Sequence, residues 1–104
     1  MRQFDIYANT DPDSNRTYPY FVDVQTDMLD VLNTRVVIPL TSARPNAGMP
    51  KHLCPRVEID GELYYLLTHQ LTTVPASILR EHQGSLESNR TDIINALDFI
   101  FSGI

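Results

Sequence analysis

The sequence predicts a mainly β fold (β-rich α+β): a bent antiparallel sheet of five or six short strands, or a partial barrel, with one C-terminal α-helix packed on it. Three observations lead there. Short apolar runs recur between Gln3 and Leu79, several of them alternating with a period of two, and clusters of Asn, Asp, Pro and Gly separate them. The dipeptide Asp60-Gly61 stands between two such runs, and a type I′ hairpin turn wants positive φ at both central positions. Only the final stretch, Glu87 to Ile104, changes its period to three and four.

Taken in order, Gln3 to Tyr7 reads as a strand with Phe4 and Ile6 on its buried face. Asn9 to Thr17 is polar and rich in turn formers, hence a solvated loop. Pro19 leads into a strand from Tyr20 to Gln25, with Val22 and Val24 on one side and Phe21 and Asp23 on the other. The expected place for Asp23 is a solvated strand face, a half-buried carboxylate being the alternative. Thr26 to Thr34, with Met28, Leu29, Val31 and Leu32 among aspartates, is a turn or a single helical turn.

Arg35 to Leu40 is the most β-like run and is apolar on both faces, as a doubly covered strand requires. Pro39 has no N–H to give, so the strand is expected to bulge, end or lie at an edge there. Thr41 to Lys51 forms a second irregular loop. Arg56–Asp60 and Glu62–Thr68 are the arms of the hairpin. Gln70 to Leu79 holds a short strand or turn around Val74-Pro75, and His82 to Ser85 leads into the helix.

In the helix, Ile93, Ile94, Leu97, Ile100 and Phe101 share one face, with Asp92, Asn95 and Asp98 between them. Ser88 is placed to cap its first turn, and Asp92 lies near the positive end of the dipole. Gly103 can take the left-handed conformation that ends a helix, leaving an apolar Ile104 directly after it. Periodicity leaves two readings of that end. It closes a core and frays, or it is a tip held out for a partner.

The 104 residues suit one domain, 1–104, and 42% apolar with 20% charged residues is ordinary for a globular protein. Thirteen acidic against eight basic residues leave a net charge of −5, which argues against a surface for nucleic-acid phosphates. Such a balance suits a basic partner, or simply solubility. Cys54 is the sole cysteine, so no internal disulfide forms. No apolar signal region opens the chain and no run reaches spanning length, so no membrane association and a cytoplasmic location are expected.

The search for chemistry finds little. The four glycines are scattered, and no serine or cysteine sits in a nucleophile signature. His52 and Cys54 could give a metal two ligands, though not at a recognised spacing, and a loop histidine beside a small apolar thiol is the plainer reading. Arg16, Arg44, His69 and Asp23 are the set that an acid–base ribonuclease site would have to draw together. The residues alone describe a binding module, with no catalytic, metal or cofactor site.

Four blocks carry a resemblance: Tyr20-Phe21-Val22-Asp23-Val24-Gln25-Thr26-Asp27, Arg35-Val36-Val37-Ile38-Pro39-Leu40-Thr41-Ser42-Ala43-Arg44, Thr72-Thr73-Val74-Pro75-Ala76-Ser77-Ile78, and the ending from Asp92 to Phe101-Ser102-Gly103-Ile104. In order and spacing they resemble the CcdB toxin family over nearly the whole chain, the Asn9–Thr17 and Asn46–His52 loops apart. The resemblance implies an SH3-like barrel with a C-terminal helix, acting as a homodimer and not as an enzyme. It implies the toxin of a toxin–antitoxin pair of the plasmid-maintenance kind, which binds the A subunit of DNA gyrase and traps the cleaved gyrase–DNA complex. A cognate, CcdA-like antitoxin would release gyrase, and nucleic acid would be met only through the toxin–antitoxin complex in autoregulation.

Carried over by position, the gyrase-binding surface would be Met28, Leu29, Asn95, Asp98, Phe101, Ser102, Gly103 and Ile104. A two-fold dimer would present that apolar tip twice, with Phe101 and Ile104 as anchors and Gly103 allowing close backbone approach. Three positions depart from the family pattern. Ser102 stands where a tryptophan is usual, Asp98 where an asparagine is, and Arg90 where a glutamate is. A tryptophan stacked on a partner's arginine contributes ~1–2 kcal/mol, so weaker gyrase binding, by about ten-fold or more, is expected. Two alternatives share the fold: an endoribonuclease toxin of the MazF or Kid type, and a non-toxic relative that titrates antitoxin.

Overall fold

The computed structural model describes residues 1–44 and 48–103. Residues 45–47 of the predicted Thr41–Lys51 loop, and the terminal Ile104, lie outside the described residues. Among those described, the elements are β1 (Asp5–Ala8), β2 (Tyr20–Asp23), β3 (Thr34–Ser42), β4 (Arg56–Ile59), β5 (Glu62–Leu66), β6 (Thr72–Pro75), β7 (His82–Ser85) and α1 (Arg90–Ser102). All strand pairs are antiparallel. They follow the order β4-β5-β3-β2-β1-β7, with β6 also joined to β3. The protein is mainly β, a curled half-barrel with a C-terminal helix, as the SH3-like expectation has it.

Strand β3 organises the sheet. Along one side it pairs with β2, from Tyr20↔Leu40 to Asp23↔Val37. Its other side is shared, first by β6 up to Val37↔Thr72 and then by β5 from Leu40↔Leu66. Pro39 lies buried inside the strand, neither at an end nor at a sheet edge, and so corrects the expectation from its missing N–H. The reason is the changeover. Between β6 and β5 no strand residue faces Pro39, and its carbonyl instead accepts the Leu67 N–H at 3.0 Å. A proline costs no ladder bond where the partner strand is being exchanged.

The hairpin is as read: Asp60 has φ +52° and Gly61 φ +83°, joining β4 to β5. Two expectations move. The first strand begins at Asp5, because Phe4 takes φ +72° and turns its ring into the core. His82 to Ser85, read as a lead-in, is the edge strand β7, paired with β1.

The larger core gathers Phe4, Ile6, Val22, Ile38, Leu66 and Ile93 between the sheet and α1. A second, smaller cluster of Tyr7, Val37 and Leu79, with Phe21 and Val74 against it, covers the opposite face of β1–β3. The alternation of Val22 and Phe21 is therefore observed, but both faces are covered. Ile93 and Ala96 are the fully buried positions of α1. Its first turn is not capped by Ser88, whose hydroxyl donates to Asn89 Oδ1 at 3.4 Å. The chain instead enters through a 3-10 turn, Glu87–Asn89, in which the Ser85 hydroxyl accepts the Glu87 N–H at 3.1 Å. No helix among the described residues is long and apolar enough to cross a membrane.

Candidate functional site

Two exposed apolar surfaces stand out, and the sequence-predicted residues divide between them. The first is the end of α1. Phe101 is 74% exposed although it belongs to the apolar stripe, whose inner member Ile93 is buried. Gly103 ends the helix at φ +72°, its N–H donating to the Phe99 carbonyl at 2.9 Å, as a left-handed cap does. A Cβ built on Gly103 would meet nothing within 4 Å, so the backbone there is open to approach. The Ser102 hydroxyl donates to the Asp98 carbonyl at 2.7 Å. It is thus turned back onto its own helix, and Asp98 and Ser102 are both exposed. Asn95 faces elsewhere. It lines a cleft of about 430 Å³ with Asp92, His52, Arg56 and others.

The second surface is the connection between β2 and β3. A 3-10 turn, Asp27–Leu29, holds Met28 at 89% and Leu29 at 44% exposure. Asp27 shares a second cleft with Glu87 and Arg90, at the start of α1. Phe101 lies eleven residues beyond Arg90, about 16 Å along a helix rising 1.5 Å per residue. The helix packs on the main core through Ile93, Ile94 and Leu97 and also meets the turn Thr68–Gln70. The chain thus displays a tip and a loop as two surfaces, and Ile104 lies outside the described residues.

Beneath the loop is a buried ion pair that corrects the reading of Asp23 as a solvated group. Asp23 is 0% exposed and Arg35 1%, on the sheet face covered by the second cluster. Arg35 Nε and Nη2 both reach Asp23 Oδ2 at 2.8 Å, and the other carboxylate oxygen accepts the Gln25 N–H at 3.0 Å. Arg35 Nη1 extends outward to Asp30 Oδ1 at 3.2 Å, on a side chain that is 57% exposed. Burial pushes the Asp23 carboxyl up, and the bonds from Arg35 and Gln25 oppose that shift. Burial, with the charges of Asp5 and Asp23, also raises the Tyr7 phenol on the same face. The sequence did hold a signal for this pair. Asp23 and Arg35 are the opposite charges set inside two apolar β runs, and β2–β3 pairing makes them diagonal neighbours.

The ribonuclease set does not come together. Asp23 is closed off by Arg35, and neither of the two clefts above is lined by Arg16, Arg44 or His69. His69 instead stands against Cys54, with Nδ1 3.7 Å from Sγ. Burial raises the Cys54 thiol, against a bond from the Thr68 backbone. His52 lies by Phe99, ring centroids 6.4 Å apart, and no group of three metal-ligating side chains forms among the described residues. Arg90, one of the departures, sits over the Phe4 ring at 5.3 Å, a cation–π contact that ties the helix start to the core.

A curled sheet of this order carrying a C-terminal helix defines a small SH3-like α+β protein. The family model described as CcdB protein matches residues 3–103, and the chain belongs to the CcdB family. It is in that general sense the toxin of a toxin–antitoxin pair.

Proposed function

We propose that residues 1–104 act as one toxin unit that binds the DNA gyrase A subunit, traps the cleaved gyrase–DNA complex without catalysis of its own, and is released by a CcdA-like antitoxin. In this reading it works in the cytoplasm as a homodimer, and the surface offered to gyrase comprises Met28, Leu29, Asn95, Asp98, Phe101, Ser102, Gly103 and Ile104. The observation that carries the reading is the end of α1. Within a family match over residues 3–103, a phenylalanine from the apolar stripe is left 74% exposed beside an open, left-handed glycine. An aromatic left that exposed at the end of the stripe is placed as a contact anchor would be. Two copies would double the tip about a two-fold axis, suiting a two-fold partner.

A second reading has one observation in its favour. The Ser102 hydroxyl is satisfied by its own helix and offers no aromatic face, so a chain that engages antitoxin but not gyrase is the competitor. Direct binding to the dimerisation region of gyrase A tests the two, comparing the full chain with one ending at Phe101. The proposal expects binding that is lost with Ser102, Gly103 and Ile104. Equal binding by both chains would place the site elsewhere, and antitoxin binding without gyrase binding would support the competitor.

A further inference from the structure

The two clefts that border α1 differ in charge. The one at the helix start sets Arg2 and Arg90 against three acids, Asp5, Asp27 and Glu87. The other, of about 430 Å³, sets Lys51 and Arg56 against Asp92 alone and adds the imidazole of His52. Among the described residues, neither Lys51 nor Arg56 is held in an ion pair. The chain as a whole carries −5, so this cleft runs against the overall balance.

Three elements fix its walls. Lys51 and His52 lie in a turn closed by the Leu53 and Cys54 N–H groups, which donate to the Pro50 carbonyl at 3.2 and 2.8 Å. Arg56 opens β4 and pairs across the hairpin with Tyr65 of β5, and the Pro55 carbonyl before it accepts the Leu66 N–H at 2.9 Å. The third wall is α1, which contributes Asp92 and Asn95. The backbone beneath the cations is thus already ordered when a ligand arrives.

We propose that this cleft binds a small phosphate, free or carried by an ester, with Lys51 and Arg56 neutralising it and His52 donating a further hydrogen bond. The ligand class follows from the charges. A phosphate monoester carries about −1.5 to −2 at pH 7, which two cations match, whereas a single carboxylate leaves one of them over. The Arg56 fork suits two phosphate oxygens and the Lys51 ammonium a third. Asp92 repels an anion from the helix wall, which sets the phosphate toward Lys51 and Arg56. Asn95 and Tyr65 then face the organic part of an ester. The inference stands apart from the gyrase reading.

The test is an amide NMR titration of the full chain at constant ionic strength, with inorganic phosphate, adenosine monophosphate and adenosine as probes. Saturable shifts are expected at Lys51, His52, Arg56 and Asn95 with both phosphates, tighter with the ester, and not with adenosine. Lys51→Gln/Arg56→Gln should raise Kd at least about ten-fold. Both side chains are exposed, so thermal unfolding should not move. Arg16→Gln, outside the cleft, should bind as the wild type does. Equal affinity for the two phosphates would uphold the site and assign it to free phosphate. Adenosine binding as tightly as its monophosphate, or shifts that the double variant leaves intact, would overturn the proposal. So would the absence of saturation by either phosphate at millimolar concentration.

Discussion

The two exposed apolar surfaces differ in how they are held. The β2–β3 loop rests on a buried polar framework, Asp23–Arg35 reaching out to Asp30, with bonds from Gln3 and Gln25. The tip of α1 rests on little more than the helix itself, the Gly103 cap and the Ser102–Asp98 bond. The first surface is coupled to the stability of the fold and the second is nearly independent of it. A buried charge pair is retained at a cost, since apolar replacements are often no less stable. Here the pair also sets the shape of an exposed loop, and that is a reason for keeping it.

The largest loss is expected at Arg35. Arg35→Ala leaves the Asp23 carboxylate buried without its partner, and a loss of about 3–5 kcal/mol in denaturant unfolding is expected. Loss of less than about 1 kcal/mol would mean that the pair does not brace the sheet.

Within α1, Ile93→Ala and Phe101→Ala separate core from tip. Ile93 is 0% exposed, and its truncation should cost about 2–5 kcal/mol. Phe101→Ala should leave stability within about 0.5 kcal/mol while weakening gyrase binding about ten-fold or more. A strongly destabilised Phe101 variant would instead make the residue part of the packing.

The core half of that helix was legible in the sequence because a 3.6-residue period survives any tertiary context that buries one face. The division of the stripe between core and tip was not, since Phe101 has the same spacing as Ile93 and only the helix's reach past the sheet exposes it. Strands β1 to β5 could be read from apolar runs and turn residues, while β6 was open between a short strand and a turn around Val74-Pro75. Strand β7 could not, because His82-Gln83-Gly84-Ser85 has no apolar alternation and is held by its backbone pairing with β1. Asp23 was misread for a related reason. Alternation assigns it to the face opposite Val22, but whether that face meets water depends on Leu79 and β6 folding over it. Pro39 was legible as an oddity, yet the exchange of β6 for β5 beside it is a property of topology.

Smaller effects sharpen the picture. Gly103→Ala meets no steric neighbour, so its cost should be only the left-handed backbone strain, about 1 kcal/mol, read from thermal unfolding. At alkaline pH the β4–β5 hairpin face should be the sensitive one. Burial, with the Tyr64 hydroxyl's bond to Glu62 at 3.1 Å, pushes the Tyr64 phenol up to about 12 from 10.0. The folded state therefore holds that proton longer than the unfolded chain does. The associated stability is fully present below about pH 10 and is lost as pH rises toward about 12. Tyr64→Phe should flatten that part of the stability–pH curve. The smallest effect expected is on rate: with a net charge of −5, association with a basic partner should slow as salt is raised.

Under the proposal that the chain poisons gyrase through the tip of α1, a DNA cleavage assay is decisive. Purified gyrase, supercoiled DNA and ATP are incubated with the full chain or with the chain ending at Phe101, followed by detergent and protease. Linear DNA should accumulate with the full chain, be absent with the shortened one, and disappear when antitoxin is added. No linear DNA at any concentration, from a folded protein that still binds its antitoxin, would contradict the claim and leave an antitoxin-binding protein without a gyrase target.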